Sequence, residues 1–328
     1  MANGHNESDL TLATNVLTSL RPVQYFDVVI GLVISLASAI SIVAIFKDTT
    51  LRRKNAYILA GVLCFGYFVH SVGITAKGIF ALAYDSIHEQ TMQTMQECAN
   101  EWVVLVTGAE IIIDTSFLIA VDRCLAVFLP IFYRGQKNCW WPAGQLIIVF
   151  IHLVSAILRE LSYTSDKPIP LCTILTAMDI HAFVGMMVEF NSIVALTIVL
   201  YVVVIAWARH SIRKAATYGG NAALQRKRLN WKLIVTMALN MAVYSMTMFI
   251  GNVCFTSAAL VDDVSAVVPL LILGEVDHLS GFLGLCVLFS RMGEFRAAVF
   301  RLFNLKVGPI QPSEGYKTDL SSNRTGIA

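Results

Sequence analysis

Asp122 and Arg123 stand side by side at the end of a long apolar run that Cys98 opens, and the interval from Cys98 to Arg123 is 25 residues. At about 1.5 Å of rise per residue that is roughly 37 Å of helix, enough to carry its two ends to opposite faces of a bilayer. The ends have different chemistry. A cysteine on an oxidising face can enter a disulfide. An arginine at the other boundary is expensive unless a neighbouring acid pairs it, so Asp122 can hold Arg123 in one state and release it in another. The plain alternative is an interfacial arginine that merely snorkels.

Other ionisable residues interrupt apolar runs: Lys77, Glu101, Glu110, Asp179, Glu189, Glu275, Asp277 and His278. Such groups are costly in hydrocarbon and become binding-site candidates by default. Glu101, Leu105, Val106 and Ala109 recur at near-helical spacing below Cys98. Lys77 can either pair with an acid such as Glu275 or act as a ligand counter-ion; pairing within the protein is the preferred reading, because a buried charge needs a partner at rest. Asp114 lies near the middle of its run and is read as facing a neighbouring helix. His70, His152 and His181 share no spacing, and no Cys-x-x-Cys occurs, so no metal site and no cofactor is expected. No His-Glu-x-x-His, Gly-x-Ser-x-Gly or paired catalytic aspartates appear, so no enzymatic activity is expected either.

The elements that must hold these groups are membrane helices. The chain is 56% hydrophobic and 14% charged with a mean hydropathy of +0.68, far from soluble domains. Seven apolar stretches, at 25–46, 56–83, 98–127, 141–158, 179–207, 233–257 and 267–290, each approach or exceed the ~20 residues a span needs. The expected fold is an all-α membrane protein: an N-terminal tail over 1–24, a seven-helix bundle over 25–290, and a tail over 291–328. The first stretch follows a mixed polar segment and lacks a small-residue cleavage pattern, so it reads as a span and not as a signal peptide.

Basic residues set the orientation. Lys47, Arg52, Arg53 and Lys54, then Arg134 and Lys137, then Arg209, Arg213, Lys214, Arg226, Lys227, Arg228 and Lys232 mark the segments 47–55, 128–140 and 208–232 as cytoplasmic. The N-terminus is then outside and the C-terminus inside. These basic segments read as topology and anionic-lipid contact, with no nucleic-acid partner. Of the seven cysteines, Cys98 and Cys172 fall on the outer side and are the expected disulfide. Asn6-Glu7-Ser8 is a glycosylation sequon on that side.

Asp122-Arg123-Cys124 stands where rhodopsin-like G-protein-coupled receptors carry Asp-Arg-Tyr at the cytoplasmic end of helix three. Its continuation, Leu125-Ala126-Val127-Phe128-Leu129-Pro130-Ile131-Phe132-Tyr133-Arg134, resembles nematode serpentine chemoreceptors of class SX. The resemblance implies a coupling switch at Asp122, Arg123, Pro130 and Tyr133, a heterotrimeric G protein as partner, and a ligand pocket among Lys77, Glu101, Leu105, Glu110, Glu189, Glu275, Asp277 and His278. It also implies a short amphipathic eighth helix after Arg291, with Phe295, Val299, Leu302 and Phe303 on one face. Three features depart from that family. Gly284-Leu285-Cys286-Val287-Leu288 replaces Asn-Pro-x-x-Tyr, Cys64-Phe65-Gly66 replaces the helix-two acid, and the sixth stretch has no proline.

The expected function is a plasma-membrane receptor for an extracellular chemosensory cue or peptide; pairing with a second receptor stays open. A retinal photoreceptor is disfavoured, since the seventh stretch has no lysine for a Schiff base. The rival from another class is a transporter or channel using the intramembrane charges, though no repeat relates the first and last spans.

Overall fold

The computed structural model describes residues 4–52, 54–87, 93–135, 140–162, 164–169, 172, 177–218, 221–260, 269–270 and 272–305. In hydrocarbon every backbone N–H and C=O must be satisfied within the segment, so apolar runs fold as helices. The helices are α1 (Gly4–Lys47), α2 (Thr49–Arg52), α3 (Asn55–Ile87), α4 (Met95–Phe128), α5 (Pro130–Gly135), α6 (Trp140–Ser162), α7 (Ile180–Tyr218), α8 (Asn221–Leu260), α9 (Leu279–Arg291) and α10 (Gly293–Leu302). Strands β1 (Gln93–Thr94) and β2 (Pro168–Ile169) pair antiparallel, with Gln93 opposite Ile169 and Thr94 opposite Pro168.

Among the described residues, six helical segments are long and apolar enough to cross a membrane: Leu20–Lys47, Asn55–Ala83, Met95–Phe128, His181–Lys214, Ile234–Cys254 and Ile272–Arg291. The apolar part of α6, Ala143–Arg159, is shorter. It supplies the fourth of the seven expected stretches.

Two segments differ from expectation. The 208–232 stretch, expected as a loop, is mostly helix: α7 runs on to Tyr218 and α8 starts at Asn221. Its Ala, Leu, Gln, Arg and Lys are good helix formers and it has no proline, so local propensity carries both helices past the membrane. Helix also reaches back into the N-terminal tail, to Gly4.

α4 is the central element, packing against α3, α6 and α7. Thr94 caps it: Thr94 Oγ1 accepts from Glu97 N–H at 3.2 Å while Thr94 N–H donates to Glu97 Oε2 at 2.9 Å. Cys98 in the first turn is disulfide-bonded to Cys172, so the bond and the β1–β2 pair together fasten the segment that carries Pro168, Ile169 and Cys172 to this end of the helix. At the other end Pro130 stops it. The residue before a proline avoids the helical region, and Leu129 sits at φ −122° and ψ 57°. Pro130 then begins α5, where its missing N–H costs nothing.

α3 and α4 approach closely through glycines, as small residues permit in membranes. A Cβ on Gly108 would overlap the backbone of His70, and one on Gly73 would lie 2.5 Å from Leu105 N. α10 buries Phe295, Ala297 and Ala298, with Val299 and Leu302 partly covered. Phe303 was expected on that face, but it lies beyond the helix end and is 53% exposed. Lys54 pairs with Glu294 at 2.7 Å and Arg301 with Asp48, tying α10 to the segment after α1.

Candidate functional site

Among the described residues, four polar groupings lie along the bundle. The first joins α1, α3 and the start of the seventh span. Glu275–His278 is a single 3₁₀ turn, in which side chains three apart eclipse, so both residues face the same way and His278 Nδ1 lies 2.9 Å from Glu275 Oε2. The other Glu275 oxygen accepts from Lys77 Nζ at 2.7 Å. Asp27 sits 3.5 Å from Lys77 Nζ and 3.0 Å from His278 Nδ1, and the Lys77 ammonium lies 4.7 Å from the centroid of Trp102. Two acids thus face a lysine and a histidine, and the structure holds the Lys77–Glu275 pair. Asp27 was missed in the sequence, although it is the only acid in the 25–46 stretch.

Beside this grouping, His70 Nδ1 lies 3.0 Å from the Leu105 carbonyl. That bond fixes the proton on Nδ1 and fits the close approach of α3 to α4 at Gly108. Leu105 itself is buried, so its backbone rather than its side chain supplies a polar atom. Glu101 Oε2 lies 3.7 Å from Cys172 Sγ, a contact without a hydrogen bond because a disulfide sulfur has no proton.

The second grouping bridges α4, α6 and α7. His152 Nδ1 lies 2.8 Å from Asp114 Oδ2 and 3.8 Å from Glu110 Oε2, while its Nε2 lies 2.7 Å from Glu189 Oε1. Arg159 pairs with the other Glu189 oxygen and lies 3.8 Å from Glu110 Oε1. α6 and α7 each pack on α4 and scarcely approach one another among the described residues, so these side chains span the gap between them. Glu110 and Glu189 were expected in a pocket; they meet here, away from Lys77 and Glu275. His152, Asp114 and Glu189 lie on different helices, and Arg159 falls just past the 141–158 stretch, so no spacing within one segment could reveal the set.

The third grouping lies inside the bundle between α3, α8 and the seventh span. Asn240 Nδ2 donates to Tyr67 Oη at 3.1 Å, and a Cβ on Gly284 would sit 2.5 Å from that hydroxyl. Tyr244 Oη, Asn240 Oδ1, Ser280 Oγ and Asp277 Oδ1 are buried atoms without a hydrogen-bond partner among the described residues. Buried polar atoms are normally satisfied.

The fourth grouping lies at the C-terminal end of α4. Asp122 and Arg123 are both buried and paired with one another. The short α5, begun by the exposed Pro130, turns Tyr133 back so that its hydroxyl donates to Asp122 Oδ1 at 3.0 Å and accepts from Arg123 Nη2 at 3.1 Å. Burial, with Asp122 beside it, pushes the Tyr133 phenol up to about 12 against the opposing pull of Arg123, so it remains a donor at physiological pH. Arg123 Nε is buried with no hydrogen-bond partner among the described residues. Asn6 lies in helical backbone, with its side chain outside the described residues, as is everything after residue 305.

A comparison with curated proteins found no match to the chain. A family model does match, described as serpentine type 7TM GPCR chemoreceptor Srsx, over residues 29–303. That stretch contains most of the first span and all of the later helices, the Cys98–Cys172 disulfide, the Asp122–Arg123 pair and the whole of α10. The chain belongs to the Srsx family of serpentine seven-transmembrane G-protein-coupled chemoreceptors.

Proposed function

We propose that this receptor sits in the plasma membrane with its N-terminus outside, binds an extracellular chemosensory cue or peptide among the outer halves of its helices, and activates a heterotrimeric G protein through Arg123. The basic cytoplasmic segments support the orientation. Residues 1–24 form the outer tail, 25–290 the signalling bundle, and 291–328 the membrane-surface helix and inner tail.

The observation that carries the reading is the locked arginine. Arg123 is buried between Asp122 and Tyr133, with one guanidinium nitrogen unsatisfied. A conformational change that moves α5 or α7 away from this end frees the guanidinium for an incoming partner. In the family that partner is the terminal helix of the G protein. The unsatisfied Tyr244, Asn240, Ser280 and Asp277 atoms support a ligand that enters the bundle and makes polar contacts with α8 and the seventh span. Such a ligand would favour the state in which those atoms are paired and so shift the population.

Basal nucleotide exchange on a reconstituted G protein, compared with Arg123→Ala at matched surface level, tests the proposal. Exchange that falls to background in the mutant supports coupling through Arg123. Equal exchange in both removes it, and ion flux through the two forms would then test transport.

A further inference from the structure

The receptor reading puts a ligand inside the bundle and, resting on that reading, we propose that the ligand is a small primary amine whose ammonium seats at Asp277. Its body would lie between α8 and the seventh span, beside Tyr244, Ser280 and Asn240. Asp277 is the acid that the neighbouring charges leave over. Lys77 Nζ lies 2.7 Å from Glu275 and 3.5 Å from Asp27, and His278 Nδ1 lies 3.0 Å from Asp27 and 2.9 Å from Glu275. Two acids thus take up one lysine and one histidine, so that grouping has no positive charge to spare whether or not His278 is protonated. Residues 88–92, 170–176 and 261–268 contain no lysine or arginine. Asp277 Oδ1 is buried without a hydrogen-bond partner among the described residues, and a carboxylate left so within a span is expensive until a cation meets it.

The packing of α8 on the seventh span sets what lies next to that carboxylate. A Cβ on Gly251 would sit 3.2 Å from Asp277 Cβ, and one on Gly284 would sit 2.8 Å from Asn240 Oδ1. The two elements therefore run antiparallel, with Tyr244 and Ser280 between those levels. From Asp277 to Gly284 is seven residues, roughly 10 Å of helix. Asn240, Tyr244 and Ser280 are at most 3% exposed, yet Asn240 Oδ1, Tyr244 Oη and Ser280 Oγ have no hydrogen-bond partner among the described residues. Tyr244 and Tyr67 both lie within range of the Asp277 charge. A carboxylate at one end and three buried atoms without partners along the row match a ligand of about that length.

The character of these atoms selects the ligand's charge. An ionised Asp277 and Asn240 Oδ1 can only accept, since Asn240 Nδ2 already donates to Tyr67 Oη at 3.1 Å, and the two hydroxyls accept as readily as they donate. A primary ammonium brings three donors and no acceptor. Its hydrogen bonds to a carboxylate are of the strong, charge-assisted kind, and tyrosine rings nearby favour a cation further. An anionic ligand would meet Asp277 with like charge. Glu275, Val276 and Asp277 are only partly buried, which gives the ammonium a way in at this end of the seventh span.

The test uses the purified full chain in phospholipid nanodiscs, with tyramine and isoamylamine as aryl and alkyl probes. The controls are 4-ethylphenol, which lacks the ammonium, and sodium chloride at equal concentration. A saturable rise in thermal transition temperature with at least one amine is expected, with 4-ethylphenol at least about thirtyfold weaker than tyramine and sodium without effect. Asp277→Asn should weaken the amine by at least the same factor. Because it removes a carboxylate that nothing pairs, it should also melt no lower than the ligand-free wild type. Tyr244→Phe should weaken binding about two- to tenfold. Arg123→Ala should bind the amine as the wild type does, so the two readings fail separately: exchange that depends on Arg123 with no amine bound removes the ammonium ligand alone, and amine binding without exchange removes the coupling alone. The proposal is overturned if neither amine binds, if 4-ethylphenol or sodium acts as well as the amine, if Asp277→Asn leaves affinity unchanged, or if that variant fails to fold, which would give the carboxylate a partner in the resting chain.

Discussion

The Tyr133 hydroxyl lies 3.0 Å from Asp122 Oδ1 and 3.1 Å from Arg123 Nη2, so one phenol bridges both members of the buried pair. It reaches them because Pro130 ends α4 and starts α5 in the other direction. Tyr133→Phe deletes both bonds and leaves the packing nearly intact. Hydrogen bonds to charged groups are worth about 1.5–3 kcal/mol, so the substitution should raise basal exchange by about tenfold. Nucleotide exchange at matched expression measures it, and a decrease would show that the phenol supports the active state instead.

Lys77 is wedged between Asp27 and Glu275, both 14% exposed or less. Lys77→Met strands two carboxylates, and breaking a buried pair costs about 3–5 kcal/mol. Lys77→Met combined with Glu275→Leu should recover a large part of that loss, since only Asp27 then remains and His278 is 3.0 Å from it. Thermal melting of the single, partner and double variants gives the coupling directly. Additive losses would mean that the pair contributes nothing of its own.

Gly108 and Gly144 make a matched contrast. A methyl at Gly108 collides with the His70 backbone, whereas one at Gly144 meets nothing within 4 Å. Gly108→Ala should destabilise by about 1–3 kcal/mol and disturb the His70 bond to Leu105. Gly144→Ala should be neutral or stabilising by up to about 1 kcal/mol, from helix propensity alone. Surface expression and melting temperature separate the two, and a harmless Gly108→Ala would show that the helices part easily.

The Cys98–Cys172 bond closes a segment with a sequence separation of 74. In the chain-entropy model a loop of that size corresponds to about 4 kcal/mol, so Cys98→Ser should sharply reduce the folded receptor at the surface. Cys98→Ser with Cys172→Ser should do no worse than the single change. A non-reducing peptide map of the wild type should show the cross-link, and free thiols at both positions would remove the basis of the prediction.

Apolar length made the spans and their order legible in the sequence, because lipid imposes it on every segment independently. The Asp122–Arg123 end was legible for a similar reason: its members are adjacent in the chain, and Pro130 follows within one helical turn or two. The His152 grouping was not, since Asp114, His152 and Glu189 come from three helices and acquire meaning only when those helices pack. Asp27 could have been found as a lone acid in an apolar run. The helical character of 208–232 was hidden by reading charge as a mark of a loop, when lysine and arginine are good helix formers.

The continuity of α8 has a mechanical consequence. It holds forty residues without a proline, and Asn240, its link to Tyr67, lies near the middle. From Asn240 to Asn221 the rod extends roughly 28 Å. A tilt of about 10° about that link would swing the N-terminal tip by roughly 5 Å, with no bend at all. A helix with no proline to bend it would therefore carry a tilt at its middle to its far end undiminished, and shortening the arm should diminish the displacement in proportion.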